Sequence, residues 1–545
     1  MPAPPLAGAS LPYERVREEF DYFKQPGELA FMENAGGSQV PRCVVDGGAE
    51  YFRTHYAQLG AGYARSQRAT QVVADSHALC EVLMNSRGVG KVAIGPSTSQ
   101  LVFNLATMWE GVLGPGDNIV LHEASHEAAI GPWVRLAQRS GAEVRWWRAD
   151  PATGATPMSG LEAALDASTR IVVVAHVSNL IGEVLDLAAA VQGVRRRAPG
   201  AQVLADGVAF APHRTMDVAT WGVDWYVWSC YKVYGPHMAV LYGSHSAFEH
   251  VAAVGAPGPN HYFTPQGDLP YRLELGGAPH EGCAGLLALQ DYLSLLAQLS
   301  AQTGHARTAP LGAPSDHTTP APASTSEASP GAPSTSASET TTTAATTSTA
   351  AAAAATAAAS SSGSGSASPL LQGVRLSRSD VEAAFALMTD MEAPLQARLL
   401  SYLAAHPAVR LLGSADPDPG HRVPTISFVH TELSSPEVVT LLQAAGFAVR
   451  YGHMYGRRLV EALASSPDGF LAGAVGRHLG SANDPGAGPG TANGSGLSWA
   501  EGAQEGAVGE ARRRAEDEGV VRVSLLHYNT PEEVEALVGA LERLL

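Results

Sequence analysis

Short β-rich runs of apolar residues alternate with helical patterns between Phe31 and Leu299. Helical stretches such as LDLAAAVQGVRRR lie between most of these runs. The runs that predict strands are NIVL, AEVRWW, TRIVVVAHV, AQVLAD, WYVWS and MAVLYG. Alternation of this kind predicts an α/β unit, a sheet with helices on both of its faces.

A second, smaller α/β pattern follows further along the chain. Its predicted strands are PTISFV, FAVRYG and VVRVSLLHY. Its helices begin at recognisable signals, because Ser435-Pro436 places a cap before a first-turn proline and Thr530-Pro531-Glu532-Glu533 forms a capping box. We therefore expect a small C-terminal α/β domain.

A segment of biased composition lies between the two predicted domains. Residues 303–369 consist almost wholly of Ala, Ser, Thr, Pro and Gly, which offers little to bury and predicts a disordered insert. A second loose stretch interrupts the C-terminal part at about residues 479–518. The predicted division is an N-terminal arm (1–30), a large domain (31–302), the insert (303–369) and a small domain (370–545).

Length, charge and cysteine content narrow the classes of function. The chain has 545 residues, too many for one compact core, and a net charge of −17, which makes a nucleic-acid partner unexpected. Its four cysteines include no CxxC pair, so neither a disulfide framework nor a cysteine zinc site is predicted. The N-terminus lacks a secretory pattern, and no apolar run reaches the ~20 residues of a membrane span. We expect a cytoplasmic protein without membrane attachment, and an organellar address stays open.

Two titratable residues stand at the ends of predicted buried strands. Asp206 ends AQVLAD, and Lys232 follows WYVWS, 26 residues later in the chain. Burial lowers the pKa of a lysine and makes its amine nucleophilic, and the carboxyl ends of strands face the crevice where α/β sheets bind ligands. The pair suits pyridoxal 5'-phosphate (PLP), with the lysine forming a Schiff base and the aspartate keeping the pyridine nitrogen protonated.

Further motifs carry a resemblance to a known family. They are MENAGGSQVP (32–41), SHEAAIGPW (125–133), HVSNLIGE (176–183), ADG, SCYKVYGPH, VRYGHMY (449–455) and RVSLLHYNT (522–530). In this order they resemble the class V aminotransferases of PLP fold type I, and within them the cysteine-desulfurase-like group. The resemblance implies a large domain with a mixed, mostly parallel sheet sandwiched by helices, a smaller C-terminal α/β domain, and a homodimer.

The resemblance also implies roles for individual residues. Lys232 matches the Schiff-base lysine and Asp206 the partner of the ring nitrogen, while His126 matches the histidine that stacks on the ring and moves protons. The remaining cofactor-binding residues it implies are Asn179 at the ring hydroxyl and Ser229, Tyr231, Thr98, Ser99 and Gln100 at the phosphate. The substrate-binding residues it implies are Arg522, as the carboxylate clamp, together with Arg450, His453 and Asn34.

The chain departs from the family pattern at three positions. Tyr455 stands where the family's desulfurases carry a cysteine that accepts sulfur as a persulfide, and no cysteine follows Cys283. Ala209 and Gly277 replace a glutamine at the ring and a threonine that reaches the neighbouring subunit's phosphate. We expect chemistry without the usual persulfide, and weaker or differently arranged cofactor contacts. Cys230 is expected to be a packed residue, because a reactive thiol needs an exposed, electropositive setting.

One motif suggests a competing function. HEASH (122–126) spells the zinc-protease pattern H-E-x-x-H, which binds a metal only when both histidines share one face of a helix. Here the motif follows the turn GPGDN and the strand NIVL, so His122 is expected at the end of the strand and no metal site is predicted. A zinc hydrolase through His122 and His126 is the alternative from another class of enzyme.

The expected substrate is an amino acid, and the expected first step is removal of its α-proton by Lys232. Loss of a β-substituent would make the protein a lyase on a sulfur- or selenium-containing amino acid. An epimerase and an aminotransferase are the alternatives that the residues leave open. A non-catalytic relative is the third hypothesis, and the intact set of Lys232, Asp206, His126 and Arg522 argues against it.

Overall fold

The computed structural model describes residues 11–254, 258–261, 269–303, 371–466, 469–471 and 518–545. The strands within these ranges are β1 (Ala30–Phe31), β2 (Gly90–Gly95), β3 (Asn118–His122), β4 (Glu143–Trp147), β5 (Thr169–Ala175), β6 (Gln202–Asp206), β7 (Trp225–Ser229), β8 (Ala239–Ser244), β9 (Val409–Leu412), β10 (Thr425–His430), β11 (Phe447–Ala448), β12 (Arg450–Gly452) and β13 (Val520–Ser524).

The α-helices in the same ranges are α1 (Tyr13–Arg17), α2 (Arg42–Glu50), α3 (Ala64–Met84), α4 (Thr98–Met108), α5 (Glu127–Ser140), α6 (Met158–Ala164), α7 (Leu187–Arg197), α8 (Val218–Trp221), α9 (His245–Val254), α10 (Leu269–Leu273), α11 (His280–Thr303), α12 (Arg378–Ala405), α13 (Ser435–Ala444), α14 (Arg457–Leu463) and α15 (Pro531–Leu544). Within the described part of the chain, every helix is too short or too polar to cross a bilayer.

A seven-stranded sheet forms the centre of the described large unit, in the order β2-β8-β7-β6-β5-β3-β4. All neighbours from β7 to β4 are parallel, and β8 runs antiparallel to both β2 and β7. Successive residues of a strand enter opposite layers, since Val120 packs in one apolar cluster while Ile119 and Leu121 pack in another. The first cluster contains residues of α3, α7, α11 and α12, and the second contains residues of α4, α5 and α9. The predicted sheet with helices on both faces is confirmed.

The smaller unit is built on an antiparallel sheet in the order β12-β13-β10-β9. Helices α13 and α15 cover it. The capping box predicted at Thr530 begins α15, whereas the cap of α13 is Ser434, one residue before the predicted Ser435. The long helix α12 joins the units, because its first half packs in the large core and its second half in the small one. β1 pairs with β11 of the small unit, while Val16 and Phe20 pack in the large core, so the first described segment contacts both units.

The structure corrects three details of the predicted strands. FAVRYG is two strands rather than one, because β11 pairs with β1 and β12 with β13, with Val449 between them. VVRVSLLHY ends as a strand at Ser524, and β2 and β9 were not predicted. The division at residues 30, 302 and 369 stays a prediction. The predicted inserts, 303–369 and about 479–518, lie outside the described residues except at Thr303 and Glu518.

Candidate active site

The carboxyl ends of the parallel strands open into a two-part cavity. Asp206 ends β6 and Ser229 ends β7, while the segments that follow β3 and β5 bring His126 and Asn179 to the same edge. An inner chamber of about 80 Å³ joins an outer chamber of about 530 Å³. The residues that line both chambers are Ser99, His126, Ala128, Asn179, Tyr231 and Lys232. This edge is where open α/β sheets bind ligands.

Lys232 lies in the short 3-10 turn that follows β7, and its side chain is only 6% exposed. Burial, followed by the positive charge of Arg522, lowers the pKa of its amine to about 8. An amine with a pKa this close to neutrality is partly unprotonated under physiological conditions. It can therefore act as a nucleophile or as a base.

Asp206 is buried at the bottom of the inner chamber, and its Oδ1 accepts a hydrogen bond of 2.9 Å from the backbone N–H of Val208. Burial raises the pKa of its carboxyl group to about 6. A cationic group bound beside this carboxylate would offset the cost of burying its charge.

His126 caps the N-terminus of α5, where its Nδ1 accepts a 3.0 Å hydrogen bond from the backbone N–H of Ala128. Burial, together with the positive charges of Lys232 and Arg522, lowers the pKa of the imidazole to about 3. The ring is therefore neutral at physiological pH, and an accepting Nδ1 leaves the proton on Nε2.

The N-terminus of α4 forms the far end of the inner chamber. Ser97 caps this helix by accepting from the N–H of Gln100, and Ser97, Thr98 and Ser99 all line the chamber. The hydroxyl groups of Thr98 and Ser229 lie 2.6 Å apart. Free first-turn amides together with paired hydroxyls form a binding site suited to an anion.

The small unit contributes two arginines to the outer chamber. Arg450 and Arg522 are directly opposite each other on β12 and β13. Arg522 is buried and donates to the backbone oxygen of Asn179 at 3.1 Å, and burial lowers its pKa to about 10. Arg450 pairs with Glu33 at 2.9 Å. Like charges placed opposite each other repel, so this arrangement favours an anionic ligand.

The loop after β12 is fixed to the large unit by two backbone contacts. Asn179 Nδ2 donates to the carbonyl of Met454, and the N–H of Glu127 donates to the carbonyl of Tyr455, each at 2.9 Å. Met454 and Tyr455 both have positive φ, a strained conformation for residues with side chains. These contacts hold the Tyr455 ring 5.2 Å from that of His126.

Most of the residues predicted for the site line this cavity. They are Lys232, His126, Asp206, Asn179, Ser229, Tyr231, Thr98, Ser99, Arg522 and Arg450. The structure places three others outside the lining. Gln100 donates its side-chain amide to Asn104, and His453 accepts from the N–H of Tyr455. Asn34 is buried among Phe31, Ser524 and Asn529.

The structure also places residues in the cavity that the sequence did not single out. They are Ser97, Phe103, Arg135 and Met454. The positions of Phe103 and Arg135 could have been inferred from their helical spacing to Ser99 and Glu127. Met454 reaches the site through a contact between the two units, for which the sequence carries no local signal.

The arrangement around HEASH does not match the zinc motif. His122 ends β3, as predicted, and its ring stacks on Trp147 with centroids 4.2 Å apart. His126 lies beyond the strand, at the cap of α5. The two imidazoles thus do not share a helical face, and within the described ranges no three potential ligands of the His, Cys, Asp or Glu type come together.

Comparison with known proteins agrees with this geometry. The profile of the family "Aminotransferase class-V" matches residues 30–379. The chain is 28% identical over 546 residues to the aminotransferase-like protein FGM3 of Gibberella zeae, covering 99% of this chain and 100% of that protein. It is 31% identical over 307 residues to a cysteine desulfurase of Yersinia pestis, covering 54% of this chain and 74% of that one.

Solved structures extend the likeness to the fold. The apo structure of a cysteine desulfurase from Thermococcus onnurineus NA1 matches with a TM-score of 0.63, at 17% identity and over 99% of both chains. The cysteine desulfurase CsdA of Escherichia coli matches with a TM-score of 0.61, at 18% identity and over 98% of both chains. The fold is PLP-dependent fold type I. The chain belongs to the class V aminotransferase family, in its cysteine-desulfurase-like group, and is a PLP-dependent enzyme.

Proposed function

We propose that this enzyme is a lyase that cleaves the β-substituent from a sulfur- or selenium-containing amino acid without a persulfide on the protein. The observation that carries the proposal is the placement of the cysteines. All four cysteines of the sequence fall within the described ranges, and none of them lines either chamber. At the loop position where family desulfurases carry the sulfur-accepting thiol, this chain has Tyr455.

Cys230 is the cysteine nearest to Lys232 in sequence, and it is fully buried in the large core. Burial raises the pKa of its thiol well above the ordinary value, so the group stays protonated. Sulfur transfer needs an exposed thiolate. The environment of Cys230 supports a packing role.

The inner chamber has the donors and acceptors that PLP requires. The cup formed by Thr98, Ser99 and Ser229 suits its phosphate, and Asp206 suits its ring nitrogen. Asn179 Oδ1 is buried without a hydrogen-bond partner in the described part of the protein, so it can accept from the ring hydroxyl. Tyr231 lies next to Lys232 in the lining and borders the same space. When bound, PLP withdraws electrons from the α-carbon of the substrate and so weakens the bonds to that carbon.

Each charged side chain around the substrate has a distinct task in this proposal. Lys232 holds the cofactor and, once its amine is released, moves the α-proton at Nζ, for which a pKa of about 8 is suited. Arg522 binds the α-carboxylate with its planar guanidinium group. Neutral His126 donates from Nε2 and can return a proton to the departing group. Arg450, paired with Glu33, borders the same chamber and supplies a second positive charge.

Two of the three departures from the family pattern change how the cofactor is held. Ala209 lines the inner chamber and has no polar side-chain group to offer the ring. Gly277 has a φ of 90°, a conformation that a threonine would adopt only under strain. Phosphate binding in this enzyme therefore depends mainly on the end of α4 and on Ser229.

The reaction can be tested by product analysis. Purified enzyme would be incubated with L-cysteine and L-selenocysteine, followed by assays for sulfide or selenide, for a keto acid, and for inversion of the α-carbon. The proposal expects sulfide or selenide release that is unchanged in Cys230→Ala. Inversion alone would support an epimerase, and amino-group transfer to a keto acid would support an aminotransferase. Loss of release in the alanine variant would point to a persulfide after all.

The proposed assembly is a homodimer. Val45, Phe52 and Tyr56 are large apolar side chains, each more than half exposed, on α2 and the turn that follows it. An exposed patch of this kind is typical of an interface. Sedimentation analysis would show twice the mass of the 56.6 kDa chain, and a monomer at micromolar concentration would contradict the proposal.

A further inference from the structure

The outer chamber extends beyond the reacting groups along one face of α5. The residues of this helix that line it are Glu127, Ala128, Gly131, Pro132 and Arg135. Their spacing is that of a single helical face. At about 1.5 Å per residue, the stretch from Glu127 to Arg135 spans about 12 Å. Since Glu127 directly follows His126, this groove begins beside the reacting groups and ends at Arg135.

The middle of the groove is open and partly apolar. Gly131 and Pro132 have no long side chains that could block it. Phe103 of α4 borders the same chamber and is 41% exposed, so its ring offers an apolar surface to a ligand in the groove. A volume of about 530 Å³ lies in the range of pockets that hold ligands much larger than cysteine.

The far end of the groove is positively charged. Of the arginines in the lining, Arg522 donates to Asn179 and Arg450 pairs with Glu33. Arg135 is exposed and makes no hydrogen bond or ion pair with any residue that the structure describes. The acidic residue on the same helical face, Glu127, lies 3.6 Å from Arg458 and so does not neutralise Arg135.

We propose that the substrate's side chain extends past the reacting carbon along α5 and ends in an anionic group that Arg135 binds. Phe103 packs against the aliphatic part of this side chain. The substrate class is thus an amino acid with a thioether- or selenoether-linked chain that carries a terminal carboxylate or sulfonate. This inference rests on the proposed function and deepens it, because it names what the leaving group carries.

Two matched probes test the inference. S-(2-carboxyethyl)-L-cysteine ends in a carboxylate, and S-propyl-L-cysteine has a neutral chain of the same carbon length. Each would be mixed rapidly with the holoenzyme, and the amplitude of the first change in cofactor absorption, read before product accumulates, gives an apparent Kd. A charge-assisted contact at this partly exposed position is expected to make the acid bind about tenfold more tightly.

Three variants test whether Arg135 causes the preference for the acidic probe. Arg135→Gln is expected to abolish the preference for the acid, and Arg135→Lys to retain most of it. Arg139→Gln is the matched control, because Arg139 is exposed on the same helix but pairs with Glu110 and does not line the chamber. This control is expected to keep the full preference.

The outcomes separate the two proposals. Equal affinity for both probes in the wild type, or a preference that survives Arg135→Gln, would overturn the inference about Arg135 and leave the proposed function standing. A preference lost equally in Arg139→Gln would show a general charge effect and would also overturn it. If neither probe nor L-cysteine changes the cofactor absorption, the proposed function fails, and this inference fails with it.

Discussion

Replacing Arg522 with methionine is expected to stabilise the fold while it weakens amino-acid binding. Arg522 is 1% exposed, and its Nε is buried without an acceptor in the described part of the chain. Burial is the main reason why its pKa falls by between two and three units from the ordinary value of an arginine, to about 10. At pH 7 the arginine is charged in both the folded and the unfolded chain, so the folded state carries the full cost of this difference.

That cost can be worked out from the structure. A tenfold change in proton affinity corresponds to about 1.4 kcal/mol, so burying the charge of Arg522 costs the fold about 3 kcal/mol. The substitution also removes the 3.1 Å hydrogen bond to the backbone oxygen of Asn179, which costs about 1 kcal/mol. The net gain is about 2 kcal/mol, which corresponds to a rise in Tm of about 2 °C for a protein of this size.

Binding is expected to change in the opposite direction. Loss of one partner from a buried charge pair costs about 2–5 kcal/mol, so the Kd of an amino-acid ligand should rise at least about thirtyfold. Thermal melts and absorption titrations of the holoenzyme measure both effects in the same preparation.

Arg422 provides the matched control. It is also fully buried, and burial also lowers its pKa to about 10, but it lies outside the cavity lining. Its guanidinium group donates to the backbone oxygens of Ser414, Ile181 and Thr425, so Arg422→Met removes three hydrogen bonds of about 1 kcal/mol each. This loss cancels the gain of about 3 kcal/mol, so the Tm of Arg422→Met is expected to stay close to that of the wild type. If Arg522→Met did not raise the Tm above that of Arg422→Met, or if it left the Kd unchanged, the reasoning about the buried clamp would be refuted.

Three further predictions follow from the same geometry. The rate at which the apoenzyme takes up PLP should rise with pH and level off above about 8, because the unprotonated amine of Lys232 is the nucleophile; a flat profile between pH 6 and 9 would contradict this. Asp206→Asn keeps the shape but removes the charge, so PLP should be lost at least about tenfold faster on dialysis. His122→Phe preserves the stacking on Trp147 and should leave activity within about twofold, whereas a complete loss would revive the zinc hypothesis.

The sequence predicted the large sheet well where strands are buried, and poorly at its borders. β7 is buried along its whole length, is apolar up to Ser229, and was predicted with its observed bounds. β2 was missed, because Gly90 and Lys91 dilute its apolar pattern, and its position is set by antiparallel pairing with β8. FAVRYG has the composition of one strand, yet its two halves pair with different partners, which is a property of the tertiary structure.

The residues of the site divide in the same way, into those that a buried strand marks in the sequence and those that only the tertiary structure brings together. Lys232 and Asp206 could be predicted, since they follow and end buried strands and the carboxyl ends of parallel strands meet at one edge. His126 was assigned from the family resemblance. Gln100 was assigned to the phosphate site through the backbone donors at the start of α4; in the structure its N–H donates to Ser97 and its side chain to Asn104. The contacts of Asn179 with Met454 and Arg522 join segments about 275 and 343 residues apart, and spacing in the sequence does not reveal such contacts.

The central claim is that Lys232 holds PLP in this cavity, and the absorption spectrum of the purified protein tests it most directly. The wild type is expected to show the yellow absorption band of a lysine–PLP imine, and Lys232→Ala to lack it while still folding. Addition of L-cysteine should then shift the band of the wild type. A wild-type protein that stays colourless after incubation with PLP, or a Lys232→Ala variant with the same band, would contradict the account.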